Sequence, residues 1–510
     1  MNQTTTEQPE APPPAGPATA PVDESGLPAW DRWFELTKRG SDLGRELRGG
    51  VVTFVTMAYI VVLNPLIIGT TTDINGRYIG GGDDPVVAIA LVSAATALVA
   101  GVMTLLMGVI GRFPLAIAAG LGLNSFLAYT IAPLMTWPQA MGLIVIEGLI
   151  IGALVLTGFR TAVFNAVPEP LKYAIGVGIG LFIALIGLVD AGVTRPGIPL
   201  ISFGVDGALR GWPALVFVVG LLLMAILVTR RVKGGLLIGI LATAALAILI
   251  ESVAKVGPFN DGNPDTPNNP TGWALNVPRI PDQWFSSPDL SLLGQFSLTG
   301  AVTAVGLVTA SLFVFSLLLS DFFDTMGTVT GLAHEAELTD EQDNVPHLEP
   351  ILLVDSMAAA AGGMASVSSN TSYIESAAGI GEGARTGIAS LVTGVLFLVA
   401  MFFSPLVSVV PYEAATPALV IVGFLMMTQI KRIPFDDFTI GIPAFLTIIM
   451  MPFTYSIANG IGAGMVTYTV LQVATGRARQ VPPLMWVVAI AFSIYFAIDP
   501  VTRLLTSITG

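Results

Sequence analysis

Runs of about twenty apolar residues recur along almost the whole 510-residue chain, and that recurrence restricts the fold more than any motif does. A bilayer hydrocarbon core of ~30 Å takes roughly 20 apolar residues per helical crossing. In lipid every backbone N–H and C=O needs an internal partner, so runs of this length must be helices. Hydrophobic residues make up 53% of the chain and charged residues only 11%, and the mean hydropathy is +0.78. Those values lie outside the range of a soluble domain of this size. The length is therefore spent on many crossings rather than on several globular domains.

Seven apolar segments fall near residues 50–69, 86–111, 114–133, 138–158, 171–190, 212–230 and 234–254. A polar stretch at 255–299, rich in Pro, Asn and Asp, separates them from further segments near 302–328, 349–365, 366–380, 386–405, 412–430, 438–456, 458–475 and 483–499. Lys38, Arg39, Arg45 and Arg48 precede the first crossing, which puts the N-terminus inside, because short cytoplasmic loops accumulate basic residues. From that start, Arg112, Arg160 with Lys172, Arg230 with Arg231 and Lys233, Arg385, Lys431 with Arg432, and Arg477 with Arg479 all fall on the cytoplasmic side, and 255–299 falls outside. An odd number of crossings before that loop makes the second half cross in the opposite sense, as an inverted repeat does. Phe54-Val55-Thr56-Met57 echoes Phe323-Asp324-Thr325-Met326 in the corresponding crossing of the second half. The division expected is a disordered cytoplasmic tail at 1–33, a first repeat at 34–254, an extracellular loop at 255–299, a second repeat at 300–476, and a C-terminal apolar segment and tail at 477–510.

Several chemistries are excluded. Cysteine is absent, so there are no disulfides, thiolate metal ligands or thiol nucleophiles. The only histidines, His334 and His347, fall in the polar acidic connection from His334 to Glu349, which leaves no imidazole metal site in the apolar segments. That connection, with Glu335, Glu337, Asp340, Glu341, Asp343 and Glu349, reads as solvated and cytoplasmic. The net charge of −13, without a basic patch, argues against nucleic acid as a partner. No metal or cofactor is expected.

An ionisable side chain at membrane depth costs at least ~2.5 kcal/mol on insertion scales, so each one needs a partner, a cavity or a task. Asp321, Asp324, Asp355, Glu147 and Glu375 lie inside apolar segments; Asp190 and Glu251 lie close enough to ends to reach the interface. Asp321, Asp324, Thr325 and Thr328 share one helical face at i, i+3, i+4 and i+7. Glu375 follows Ser368-Ser369-Asn370-Thr371-Ser372, a run that makes poor helix and leaves free N–H groups at the start of a half-helix. Asn124 follows Gly120 and Gly122, whose lack of a side chain permits close backbone approach, and its amide both donates and accepts. The third and tenth segments, which carry these elements, occupy matching places in the two halves, and interrupted segments so placed point to a transporter's substrate site. Purely structural readings remain open: carboxylates satisfied by neighbouring hydroxyls, a capped helix start at Ser372, and Asn124 as an interhelical tie.

No Lys or Arg sits centrally in an apolar segment, so an anionic substrate would meet uncompensated negative charge. A flat neutral heterocycle with several N–H groups suits Asp324 and Glu375 as acceptors, with an amide and backbone N–H groups answering ring nitrogens and carbonyls. Two neighbouring buried carboxylates also hold a proton readily, which would couple transport to protons.

The stretches Arg48–Pro65, Gly120-Leu121-Gly122-Leu123-Asn124, Phe323-Asp324-Thr325-Met326-Gly327-Thr328, Thr371–Gly379 and Ile442–Pro452, found in that order, resemble those of the AzgA-like adenine/guanine/hypoxanthine permeases, a branch of the nucleobase–ascorbate transporter family. The likeness runs from about residue 34 to residue 499. It implies an all-α polytopic membrane protein with seven crossings in each repeat, short broken third and tenth crossings, and one extra C-terminal apolar segment. It further implies a core domain of crossings 1–4 and 8–11, a gate domain of crossings 5–7 and 12–14, and proton-coupled purine import through the cell membrane by elevator-like movement. Position by position, the family's substrate residues fall on Asn124, Asp324 and Glu375. The substrate set expected here adds Gly122, Thr328 and Ser372, with Glu375 and Asp324 also coupling the proton. The partners expected are a purine nucleobase, a proton and the bilayer, with a homodimer left open. A uracil or xanthine carrier, an anion exchanger and an intramembrane enzyme using paired carboxylates are the competing readings.

Overall fold

The computed structural model describes residues 27–157, 167–198, 200–260, 267–281, 283–340, 345–407 and 409–509. Most of the tail expected at 1–33, together with Arg160, Glu341 and Asp343, lies outside the described residues.

The apolar runs fold as helices that start where the chain supplies caps. Helix α1 (Leu43–Ile68) begins at Asp42, whose carboxylate accepts the Arg45 N–H, and α2 (Pro85–Gly111) begins at Asp84, which caps the Val86 N–H. The short strand β1 (Ile117–Ala119) runs into α3 (Leu121–Leu134). A capping box at Thr136 and Gln139 starts α4 (Trp137–Leu156). Helix α5 (Glu169–Asp190) leads into a hairpin of β2 (Thr194–Pro196) and β3 (Ile201–Phe203), followed by α6 (Trp212–Thr229) and α7 (Gly235–Ala254).

The second half repeats this order. It runs α8 (Gly300–Glu335), α9 (Leu348–Met364), β4 (Asn370–Ser372), a 3₁₀ turn at Ile374–Ser376, α10 (Ala377–Ile380), α11 (Gly387–Val407), α12 (Tyr412–Arg432), α13 (Phe438–Thr454) and α14 (Ile457–Ala474). A further helix, α15 (Pro483–Thr509), packs on α14 and α8. Ten helices among the described residues are long and apolar enough to cross a membrane.

The packing respects the inverted repeat. Helix α1 lies on α11 as α8 lies on α4, and α2 lies on α11 as α9 lies on α4. The mates α5 and α12 meet directly at Gly180 and Gly423, each facing the other's backbone carbonyl so closely that neither position has room for a Cβ. Strands β1 and β4, also mates, pair antiparallel with Ile117 opposite Ser372, Ala118 opposite Thr371 and Ala119 opposite Asn370. The third and tenth segments are the short broken crossings expected, each opening on extended chain before its half-helix. Two extended stretches at membrane depth satisfy each other's backbone groups, which neither could do alone.

Candidate functional site

The polar face of α8 is not one stripe. Successive helical residues turn by ~100°, so the pair Asp321 and Thr325 is rotated about 60° from the pair Asp324 and Thr328. Thr325 of the first pair meets α9 and β4, whereas Asp324 and Thr328 line a cavity.

Asp321 and Thr325 are fully buried on the side of α9 and β4. The Thr325 hydroxyl donates to Asp355 Oδ2 at 2.7 Å and lies 2.8 Å from Thr371 Oγ1. The Ser372 hydroxyl donates to Asp355 Oδ1 at 2.7 Å, and Ser369 Oγ lies 3.5 Å from Glu147 Oε1. Neither carboxylate oxygen of Asp321 has a hydrogen-bond partner among the described residues.

Ser320, Asp324 and Thr328 line a cavity of about 830 Å³ instead, with Gly327 and Gly331 beside them. The Asp324 side chain is exposed to that space. Glu375, half-buried, enters the same cavity from the 3₁₀ turn after β4. Its position is fixed from both sides. The Tyr373 N–H donates to Ala116 O at 3.0 Å and the Tyr373 hydroxyl to Ala119 O at 2.6 Å, which ties the turn to β1. The Tyr59 hydroxyl of α1 donates to Glu375 Oε1.

To the same cavity α3 presents Gly120, Gly122 and Leu123 at its N-terminal end, where backbone N–H groups have no acceptor within the helix. A Cβ at Gly122 would lie 2.7 Å from Ile179 Cγ2 of α5. Helices α5 and α12 also line it, with Lys172, Tyr173, Gly176, Gln429 and Arg432.

Four of the six expected substrate residues, Gly122, Asp324, Thr328 and Glu375, thus line one cavity. Asn124 and Ser372 do not. Asn124 lies two residues beyond Gly122, about 200° further round the helix; it is fully buried, and both polar atoms of its amide lack partners among the described residues. Ser372 is buried in β4 with its hydroxyl committed to Asp355. His334 belongs to the last turn of α8 rather than to the loop after it, and it lines the cavity. Sequence reasoning passed over Tyr59 and the α5–α12 wall. The available signals were weak: a tyrosine and a glutamine among the other polar residues, such as Asn64 and Glu413, of the first and twelfth segments.

A helical bundle of membrane-length segments, folded as an inverted repeat around a largely apolar cavity that carries Asp324 and Glu375, defines a membrane permease. A family model described as a permease family, that of the nucleobase–ascorbate transporters, matches residues 44–463. The chain belongs to that family. It is 37% identical to the guanine/hypoxanthine permease PbuG of Bacillus subtilis, over 91% of this chain and 98% of that one. It is 35% identical to the adenine permease AdeQ of Escherichia coli, over 92% and 96% of the respective chains. The transmembrane domain of a cyanobacterium bicarbonate transporter, BicA, superposes with a TM-score of 0.53 at 15% identity, covering 83% of this chain and 97% of that one. It shares the seven-plus-seven inverted-repeat fold.

Proposed function

We propose that the chain is a proton-coupled importer of purine nucleobases, a carrier and not an enzyme, working by alternating access. The observation that carries this reading is the meeting of Asp324 and Glu375, from separate elements of the second repeat, in one cavity with the glycine-lined start of α3. At about 830 Å³ the cavity exceeds what a bicyclic base occupies and falls within the range of small-molecule sites. Its deep acids accept N–H groups, and α3 offers N–H donors to ring nitrogens and carbonyls. The relatives named as guanine/hypoxanthine and adenine permeases support the same substrate class.

The mouth of the cavity carries Lys172, His334 and Arg432, on the side where basic loops place the cytoplasm. We read this as an inward-facing state, with the N-terminus cytoplasmic. Helices α1–α4 and α8–α11 form a core that holds the base and slides against a gate of α5–α7 and α12–α14. Proton binding at Asp324 and Glu375 favours one of the two positions, which is the differential stabilisation that coupling needs.

Uptake of radiolabelled adenine, guanine and hypoxanthine into cells tests the site. Asp324→Ala and Glu375→Ala should each abolish uptake while the protein stays in the membrane at its normal level. Undiminished uptake by both variants would remove the site from the mechanism.

A further inference from the structure

We infer that Gln429 on the gate side is the residue that reads the purine edge turned away from the acids, and that its carboxamide lets the carrier accept both 6-oxo and 6-amino purines. The inference rests on the purine reading above and deepens it.

Four observations lead to it. Gln429 lies in the last turn of α12, where the helix tightens into 3₁₀ form over Thr428–Arg432, and it lines the same cavity as Asp324 and Glu375. Its side chain lies across α5 in the space a glycine leaves: a Cβ at Gly176 would stand 3.0 Å from its Oε1 and 3.5 Å from its Nε2. Gly176 is one turn of α5, roughly 4.5 Å, from Ile179, which packs against Gly122 at the start of α3. The amide is thereby placed within a turn of the level at which the half-helix meets the cavity. Finally, its neighbours are already engaged. The Tyr173 hydroxyl donates to Glu169 Oε1 at 2.6 Å, and the Arg432 guanidinium sits 5.3 Å from the Tyr173 ring centroid. The Gln429 amide is half-buried yet makes no hydrogen bond among the described residues.

The chemistry follows from what each wall offers. Asp324 and Glu375 as carboxylates only accept, so they hold the ring N–H groups of the base, N1–H and N9–H of a 6-oxo purine or N9–H of adenine, which turns O6 or N6 and N7 towards the gate. A carboxamide donates through Nε2 and accepts through Oε1. For hypoxanthine or guanine, Nε2 donates to O6 or N7. For adenine the amide serves both ways, Oε1 accepting from the 6-amino group while Nε2 donates to N7, the bidentate pairing that glutamine makes with adenine elsewhere. A carboxylate in its place keeps the acceptor and loses the donor. A leucine loses both.

The test is uptake of labelled adenine with unlabelled adenine, hypoxanthine and guanine as competitors, in wild type, Gln429→Glu and Gln429→Leu. In Gln429→Glu, inhibition constants for hypoxanthine and guanine should rise about tenfold relative to that for adenine, because O6 and N7 then face an acceptor. In Gln429→Leu all three should rise together. Equal shifts for all bases in Gln429→Glu, or no shift in either variant, would overturn the assignment. A wild type that takes up no purine would instead sink the underlying reading, so the two failures are distinguishable.

Discussion

The two repeats build the same device from different materials. In the first, β1 runs into Gly120-Leu121-Gly122, and α3 gives the cavity room and backbone. In the second, β4 runs into Tyr373-Ile374-Glu375, and the turn gives it a carboxylate. The same contrast holds for α1 and α8. Where the second repeat has Asp324 open to the cavity, the first has Val55, which packs against Gly234 at the start of α7. The first repeat still serves the acids, since the Tyr59 hydroxyl holds Glu375 and the Thr56 hydroxyl approaches the Glu375 carbonyl at 3.4 Å. An inverted fold therefore does not require an inverted site. Once the backbone of both halves is paired at β1 and β4, one half is free to specialise in charge and the other in space.

The sharpest way to break that contrast is to fill the space. Gly122→Val would drive a branched side chain into Ile179, because even a bare Cβ stands 2.7 Å from Ile179 Cγ2. Overpacking of this kind costs about 1–3 kcal/mol, here at the contact between α3 of the proposed core and α5 of the proposed gate. Purine uptake should fall by about tenfold or more with the membrane level of the protein unchanged, and Ile179→Ala in the same chain should restore part of it. Full uptake by Gly122→Val would mean that the first repeat's glycines are not there for room.

The packed face of the second repeat is expected to matter less to transport and more to stability. Ser372→Ala removes one of the two hydroxyls that donate to Asp355, leaving a buried carboxylate oxygen without its partner. The cost of such an orphan is ~1–3 kcal/mol. The detergent-solubilised protein should melt at a lower temperature, while uptake slows only a few-fold. Asp324→Asn, on the cavity face one step round the same helix, should leave the melting temperature in place and remove uptake. Identical behaviour of the two variants would mean that the faces of α8 are not functionally separate.

What the sequence made legible follows this division. Apolar length located the crossings, because in lipid a long apolar run satisfies its own backbone groups as a helix. The cost of burying charge picked out Asp324 and Glu375, since an acid in an apolar segment is conspicuous in any context. Spacing alone could not separate Asp324 from Asp321. Both sit on one arc of α8, and only the position of α9 and β4 decides which is covered. Asn124 and Ser372 were chosen by residue type and proximity to glycines and hydroxyls, yet helical rotation and strand pairing turn them from the cavity. Gln429 and Tyr59 are ordinary polar residues in their segments and gain meaning only from the wall that faces them.

The smallest effect tests how the repeats hold each other at the end that carries the basic loops. Glu382, in the link between α10 and α11, pairs with Arg48 of α1 at 2.8 Å and also with Lys233, from the turn between α6 and α7. The second contact joins the proposed core to the proposed gate, and it must break if the two slide. Lys233 is about half exposed, so the pair is worth at most about 1 kcal/mol and is screened by salt. Lys233→Glu should change the uptake rate only two- to threefold, in whichever direction the inward-facing state limits the cycle, and the change should shrink at high ionic strength. Charge exchange in Lys233→Glu with Glu382→Lys should bring the rate back towards wild type. A change in rate that salt does not diminish and the exchange does not repair would show that the α6–α7 turn acts through packing, at Gly234 against Val55, and not through charge.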